Sequence, residues 1–212
     1  MPLEELQKGG LLGSNLPNGN LRVNNNDNET LTINGGRMIY ADLVGPKNGV
    51  IHVIDRVLFP FGDRNLLQTI KDCNKFDGFL SLVKFAELND ILTDVGPYTI
   101  FLPTNDALAK MPKDEYSIYK SNKTALKDFL LYHMVFGAYF SSDLRDGHYL
   151  ETGQQSASIR VSVRVDGCQR RLVEVNASPV YLTDIPASNG VIHILDWVLS
   201  PNDLDWCSSF SS

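Results

Sequence analysis

At 212 residues, 43% hydrophobic, 21% charged and with a net charge of −6, the chain has the composition of a soluble globular protein of one or two domains. The acidic balance disfavours nucleic acid or an anionic membrane as the main partner. No apolar run approaches the roughly 18 residues of a transmembrane span, and the Met1-Pro2-Leu3-Glu4-Glu5 start lacks the apolar core of a signal peptide. Residues 1–20 are rich in Gly and Asn and read as loop. Leu21-Arg22-Val23, Glu29 to Ile33, Met38 to Asp42 and Val50 to Leu58 read as four strands, with Pro60-Phe61-Gly62-Asp63 as punctuation.

Helices are expected next. Asn65 to Cys73 is the first, and Asp77 is expected to cap a second with Phe79, Leu82, Val83 and Ala86 on one stripe. Glu87 to Thr93 supplies one more short turn before Gly96-Pro97. Tyr98 to Leu102 then forms a strand closed by Pro103, and Thr104 caps a helix through Met111. Asn122 caps a longer helix to Met134, striped by Leu126, Phe129, Leu130 and His133. Strands dominate from Val135: Ile159 to Val165 with apolar odd positions, an Asp166-Gly167 turn, Leu172 to Val175, Val180 to Thr183 and Val191 to Val198. Residues 204–212 read as a loose tail. A helical front and a strand-rich back make the fold α+β.

One stretch occurs twice. Asn48 to Pro60 and Asn189 to Pro201 agree at nine of thirteen positions and lie 141 residues apart, a domain-sized spacing. In each, Asn-Gly supplies a turn that tolerates positive φ, a β-branched run forms a buried strand, and Pro stops it. Met38 to Asp42 answers Val180 to Asp184, and Leu6 to Gly10 answers Leu144 to His148. Residues 1–60 therefore read as the C-terminal part of a truncated first domain, and 61–203 as a complete one. With its front missing, the first part is expected to expose an apolar face and open edges. The absence of a leader consequently gives no argument for the cytosol.

Tyr98-Thr99-Ile100-Phe101-Leu102-Pro103-Thr104-Asn105-Asp106-Ala107 resembles the first signature of fasciclin domains, and Asn189 to Asp196 resembles the second. Tyr132-His133 falls between them, where that family carries a Tyr-His pair. The resemblance implies a wedge: a β-sandwich of about seven strands with helices packed at one side. It also implies a non-catalytic, extracellular adhesion module of a tandem array, needing no cofactor or metal and binding integrin or other cell-surface receptors, matrix proteins or glycans. The family's adhesion segments map here onto Leu130, Leu131, Tyr132, His133, Met134 and Val135, and onto Asp90-Ile91, where Asn89 replaces the Lys of the described version.

Each of these residues has two readings. His133 shares a stripe with core residues, so it is either a core histidine with a satisfied nitrogen or a receptor contact. Asp90 is either a solvated helix carboxylate or a ligand for a receptor's divalent cation. Arg160, Arg164, Arg170 and Arg171 are grouped on the polar side of one hairpin, as a solvent face or a site for sulfated glycan. His52 and His193 lie mid-strand among aliphatics and read as structural. Asn28, Asn122 and Asn176 fit the glycosylation sequon, although Pro179 disfavours the third. Cys73, Cys168 and Cys207 are too few and scattered for a disulfide framework or a zinc site. No nucleophile, zincin or phosphate-loop motif is present to suggest an enzyme.

Overall fold

The computed structural model describes residues 1–17, 19–26, 30–45, 49–58, 62–155, 157–168 and 170–200. Asn28, Cys207, the 60/61 boundary and the 204–212 tail lie outside them. The elements run α1 (Leu3–Leu6), β1 (Gly10–Gly13), β2 (Asn20–Asn26), β3 (Thr30–Ile33), β4 (Gly36–Val44) and β5 (Val50–Ile54). Then come α2 (Leu66–Lys71), α3 (Asp77–Phe85), α4 (Asn89–Thr93), β6 (Tyr98–Pro103), α5 (Asn105–Ala109), α6 (Lys113–Ser121) and α7 (Lys123–Tyr132). The chain finishes with β7 (Met134–Phe136), β8 (Tyr149–Glu151), β9 (Ser158–Val165), β10 (Arg171–Val175), β11 (Ser178–Ala187) and β12 (Gly190–Leu195).

Local chemistry starts three of the helices. Asn65 and Gln68 form a reciprocal capping box on α2, Thr104 Oγ1 accepts from the Ala107 N–H, and Asn122 Oδ1 accepts from Thr124 and Ala125. Asp77 departs from the expectation: it is the first residue of α3, after Phe76, and the side chain that serves that end is Asn105, whose Oδ1 accepts the Gly78 N–H at 3.0 Å. The Asp77 carboxylate still lies in the first turn, where the helix dipole favours negative charge. Residues 1–20 are not loop throughout, since they hold α1 and β1, and α1 buries Leu6.

The strands form a five-stranded sheet in order β1-β2-β3-β4-β5 and a seven-stranded sheet in order β7-β6-β12-β11-β10-β9-β8. The larger sheet curls until its outer strands meet: Val135 bridges Thr152, and the Gly153 N–H donates to the Met134 carbonyl at 2.7 Å. Two cores result. On one face Ile100, Leu102, Ile192 and Ile194 pack against Leu66, Ile70, Phe79, Leu82, Leu126 and Phe129 of the helices. Inside the curl, Phe101, Tyr132, Leu150, Val161, Val173 and Leu195 form the second. β6 and β12 are apolar on both sides, as the central strands of a doubly covered sheet must be.

The smaller sheet repeats the last five strands of the larger one. Asp42 and Asp184 both have positive φ (53° and 64°), and each donates its N–H to the Nδ1 of the histidine on the following strand, His52 or His193, at 3.3 Å. Each histidine's Nε2 then reaches a carbonyl, Met1 at 2.9 Å or Tyr139 at 2.8 Å. Each aspartate Oδ1 accepts a backbone N–H, from Leu3 at 2.9 Å or Ser141 at 2.6 Å. The histidines are thus structural clasps.

The two sheets meet along a polar seam. Asp143, buried, accepts from Asn24 Nδ2 at 3.0 Å, Thr32 Oγ1 at 3.3 Å and the Phe140 N–H at 3.0 Å. Arg56 pairs with Asp184 at 2.9 Å, and Arg22 Nη2 donates to the Ser188 carbonyl at 2.9 Å. Burial raises the Asp143 carboxyl above its usual range, against the opposing pull of its donors.

The closing Asn-Gly works differently from a positive-φ turn, because neither Asn189 nor Gly190 adopts positive φ. Asn189 is buried, and its Oδ1 accepts the orphan Leu66 N–H at the start of α2 at 2.8 Å. Its Nδ2 donates to the Leu92 carbonyl at 3.1 Å and the Asp94 carbonyl at 2.7 Å. Asn189→Ala strands two buried backbone groups and one part-buried one, so the expected loss is about 3 kcal/mol. Urea unfolding checks this: the midpoint falls with the slope unchanged.

Candidate functional site

The end of α7 and the start of β7 carry the segment expected to bind receptors. Leu126, Phe129 and Leu130 enter the helical core, while Tyr132 crosses into the curled-sheet core. The Tyr132 hydroxyl donates to the Ser158 carbonyl at 3.3 Å and accepts from Asn176 Nδ2 at 2.7 Å. His133 is 0% exposed. Its Nε2 accepts the Leu199 N–H at 2.9 Å, so the proton sits on Nδ1, which donates to the Phe129 carbonyl at 2.9 Å. Burial lowers its pKa to about 4, the Phe129 bond opposing. Leu130, Tyr132, His133, Met134 and Val135 are all buried, His133 thus taking the core position of its two readings, and Leu131, half-buried, is the accessible member of the segment.

What reaches the surface there is a small apolar hollow lined by Ile91, Tyr98, Leu131, Met134, Val135, Phe136 and Gly153. The two stretches singled out in the sequence, Asp90-Ile91 and Leu130 to Val135, therefore converge. Ile91 is half-buried on α4, and Asp90 beside it is exposed in that helix's first turn. Tyr98 and Phe136 pack ring to ring at 5.8 Å, and the Tyr98 hydroxyl donates to Asp94 Oδ2 at 3.1 Å. Tyr98, Phe136 and Gly153 escaped the sequence reading of the site. Phe136 is 63% exposed, an aromatic ring at the rim of an apolar depression.

The four arginines are not brought together. Arg160 and Arg164 lie on the outer face of β9, where Arg164 pairs with Glu174 at 3.3 Å. Arg170 is at the turn, paired with Asp166 at 2.8 Å. Arg171 has the opposite strand parity and donates to the Leu144 carbonyl, where burial and then Arg37 lower its pKa. Asn122 is exposed, with its Oδ1 engaged as a cap. Asn176 is the turn residue before β11, and both ends of its amide are engaged: Oδ1 accepts the Arg160 N–H at 2.8 Å while Nδ2 holds Tyr132. Cys73 and Cys168 are exposed free thiols.

The fasciclin domain model matches residues 1–60 and 74–201. This chain belongs to the fasciclin family. Human periostin is 33% identical over 159 residues, which is 74% of this chain and 18% of periostin. The pig transforming growth factor-beta-induced protein ig-h3 is 30% identical over 200 residues, 94% of this chain and 28% of that protein. The chain therefore spans less than a third of the length of these curated relatives. A solved FAS1 domain pair of the insect cell adhesion molecule fasciclin I shares the fold at a TM-score of 0.56 and 21% identity, covering 96% of this chain and 77% of that one.

Burial of His133 in the Tyr-His pair also bears on acid stability. A histidine with a folded pKa near 4 and an unfolded value near 6.5 binds fewer protons when folded, so its contribution is complete above the unfolded value. That contribution is lost as the pH falls from about 6.5 to about 4, on the order of 3 kcal/mol in total. His193 shifts in the same direction, whereas a raised Asp143 acts oppositely. Urea unfolding at about pH 7 and about pH 4.5 is expected to show a smaller acid loss in His133→Asn than in the parent.

Proposed function

We propose that this fasciclin chain is a non-catalytic extracellular adhesion module that recognises a cell-surface receptor of the integrin kind, or a matrix protein, through the hollow between α4, α7 and β7. The carrying observation is the convergence of Ile91 with Leu131, Met134 and Val135 at one apolar depression beside the exposed Asp90. A receptor that holds a divalent cation can take the Asp90 carboxylate through oxygen ligands while Phe136 and Leu131 seat apolar groups. Similarity to a solved portion of an insect cell adhesion molecule supports the reading. A non-catalytic role is consistent with His133 and His193, whose ring nitrogens are all committed to backbone groups. In the same reading, residues 1–60 are the C-terminal part of one fasciclin unit and 61–203 a complete second. The glycan alternative is weakened by the pairing of Arg164 and Arg170 with carboxylates.

Cells plated on the full chain are expected to spread in a divalent-cation-dependent manner. Asp90→Ala and Phe136→Ser each alter exposed side chains, and each is expected to cut attachment about tenfold with little change in thermal midpoint. No spreading on protein shown to be folded by circular dichroism would refute the proposal. Retention of full attachment by both variants would move the receptor site elsewhere.

A further inference from the structure

The sequons at Asn122-Lys123-Thr124 and Asn176-Ala177-Ser178 read alike in the sequence, and the fold places them in opposite settings. Asn176 is committed at both ends of its amide. Nδ2 donates to the Tyr132 hydroxyl at 2.7 Å, Oδ1 accepts the Arg160 N–H at 2.8 Å, and the backbone has a positive φ of 45°. Ser178, which completes that sequon, is 4% exposed, and its hydroxyl donates to the Trp197 carbonyl at 3.1 Å. A sugar on Asn176 Nδ2 would displace the bond to Tyr132, whose ring packs in the curled-sheet core.

Asn122 stands at the corner between α6 and α7, exposed and with extended backbone (φ −120°, ψ 102°). Its two amide atoms have different employments. Oδ1 takes the cap bonds of α7, from the Thr124 N–H at 3.0 Å and the Ala125 N–H at 3.1 Å. Nδ2 has no hydrogen-bond partner among the described residues. Thr124, which completes this sequon, is exposed, and its hydroxyl is likewise without a partner among the described residues. An N-linked sugar replaces one N–H of the amide and leaves the carbonyl oxygen, so both cap bonds survive the modification.

We infer that Asn122 is an N-glycosylation site and that Asn176 is not. The donor class is an oligosaccharide activated at C1 on a lipid pyrophosphate. A bond forms between Asn122 Nδ2 and C1 as the C1–O bond to the pyrophosphate breaks. The pyrophosphate leaves with that electron pair, and one amide proton passes to the transferase, so no oxidant or reductant is consumed. A glycan there is carried at the start of the ten-residue α7, about 15 Å along the axis from Tyr132, and leaves the hollow at the other end open. Transfer needs the secretory route, so the inference rests on the extracellular part of the proposed function.

The test supplies that route directly: the full chain is expressed behind a secretory leader in a eukaryotic host. N-glycans are then released enzymatically in heavy-oxygen water, which converts each modified Asn to labelled Asp, and occupancy is read by peptide mass spectrometry. Label is expected at Asn122 in most molecules and not at Asn176. Thr124→Ala leaves Asn122 and its cap bonds in place and is expected to abolish the Asn122 label, with the thermal midpoints of parent and variant made without glycan within about 2 °C. An unlabelled Asn122 in secreted, folded parent would overturn the inference. So would label at Asn122 that persists in Thr124→Ala, or label at Asn176. Should the chain not be secreted, translation with microsomes decides the matter: a glycan mass shift that Thr124→Ala removes supports the site, and a pattern that Thr124→Ala leaves unchanged overturns it. Occupancy is read without cell attachment, so a failure of the adhesive reading leaves this result standing.

Discussion

Where β12 starts, three requirements are met at one corner. The β6 carbonyl of Tyr98 comes so close to Gly190 that no side chain fits between them, and the Tyr98 N–H donates to the Asn189 carbonyl at 3.0 Å. The Asn189 amide reaches the other way, into the ends of α2 and α4. Sheet and helical layer are thereby fastened through a single dipeptide. The Asn189 bonds to Leu66 and Leu92 are buried, where their loss is not made good by water. The register of the parallel pair follows from this corner, and with it the division of side chains between the two cores. Ile100 and Ile192 face the helices, while Phe101 faces the curl and stacks on His193 at 5.4 Å.

The seam between the sheets is built in another material. Residues of the smaller sheet offer arginine, asparagine and threonine donors, and the larger offers carbonyls and the carboxylates of Asp143 and Asp184. Asp184 serves three purposes at once: its N–H binds His193, Oδ1 binds the Ser141 N–H, and Oδ2 binds Arg56. A left-handed backbone at that position makes this possible by turning the N–H and the side chain to different sides of the bulge in β11. Direction-dependent bonds of this kind fix orientation more strictly than apolar contact does.

Much of this was legible in the sequence wherever the signal is local. The caps Asn65, Thr104 and Asn122, the stripe on α3 and the alternation in β9 involve residues a few positions apart. The short or amphipathically weak elements α1, β1, α6 and β8 escaped. Three- and four-residue strands leave no periodicity, and α6 is mostly polar with Tyr119 as its buried member. The candidate site was half readable, because Ile91 and Leu131 to Val135 lie in recognisable stretches, whereas Tyr98, Phe136 and Gly153 join them only through the pairing of β6, β7 and the turn after β8. Arg171 could have been separated from Arg160 and Arg164 by strand parity alone, since it is in phase with buried Val173 and Val175. The roles of Asn176 and Asn189 could not, because their partners lie 44 and up to 123 residues away.

The Tyr-His pair separates what a residue does for the fold from what it shows to a partner. Tyr132 ties α7 to the turn before β11 through Asn176, and His133 ties the same helix end to Leu199, just beyond β12. Both bonds hold the start of β7, and β7 forms one wall of the hollow. Removing either side chain would move Leu131 and Phe136 without touching any surface a receptor could reach. Under the proposed adhesive reading, substitutions within the pair would therefore act on binding through position. In that reading, substitutions at Asp90 and Phe136 would act through contact, and the two classes differ in a measurable way: the first lowers stability along with affinity, and the second lowers affinity alone.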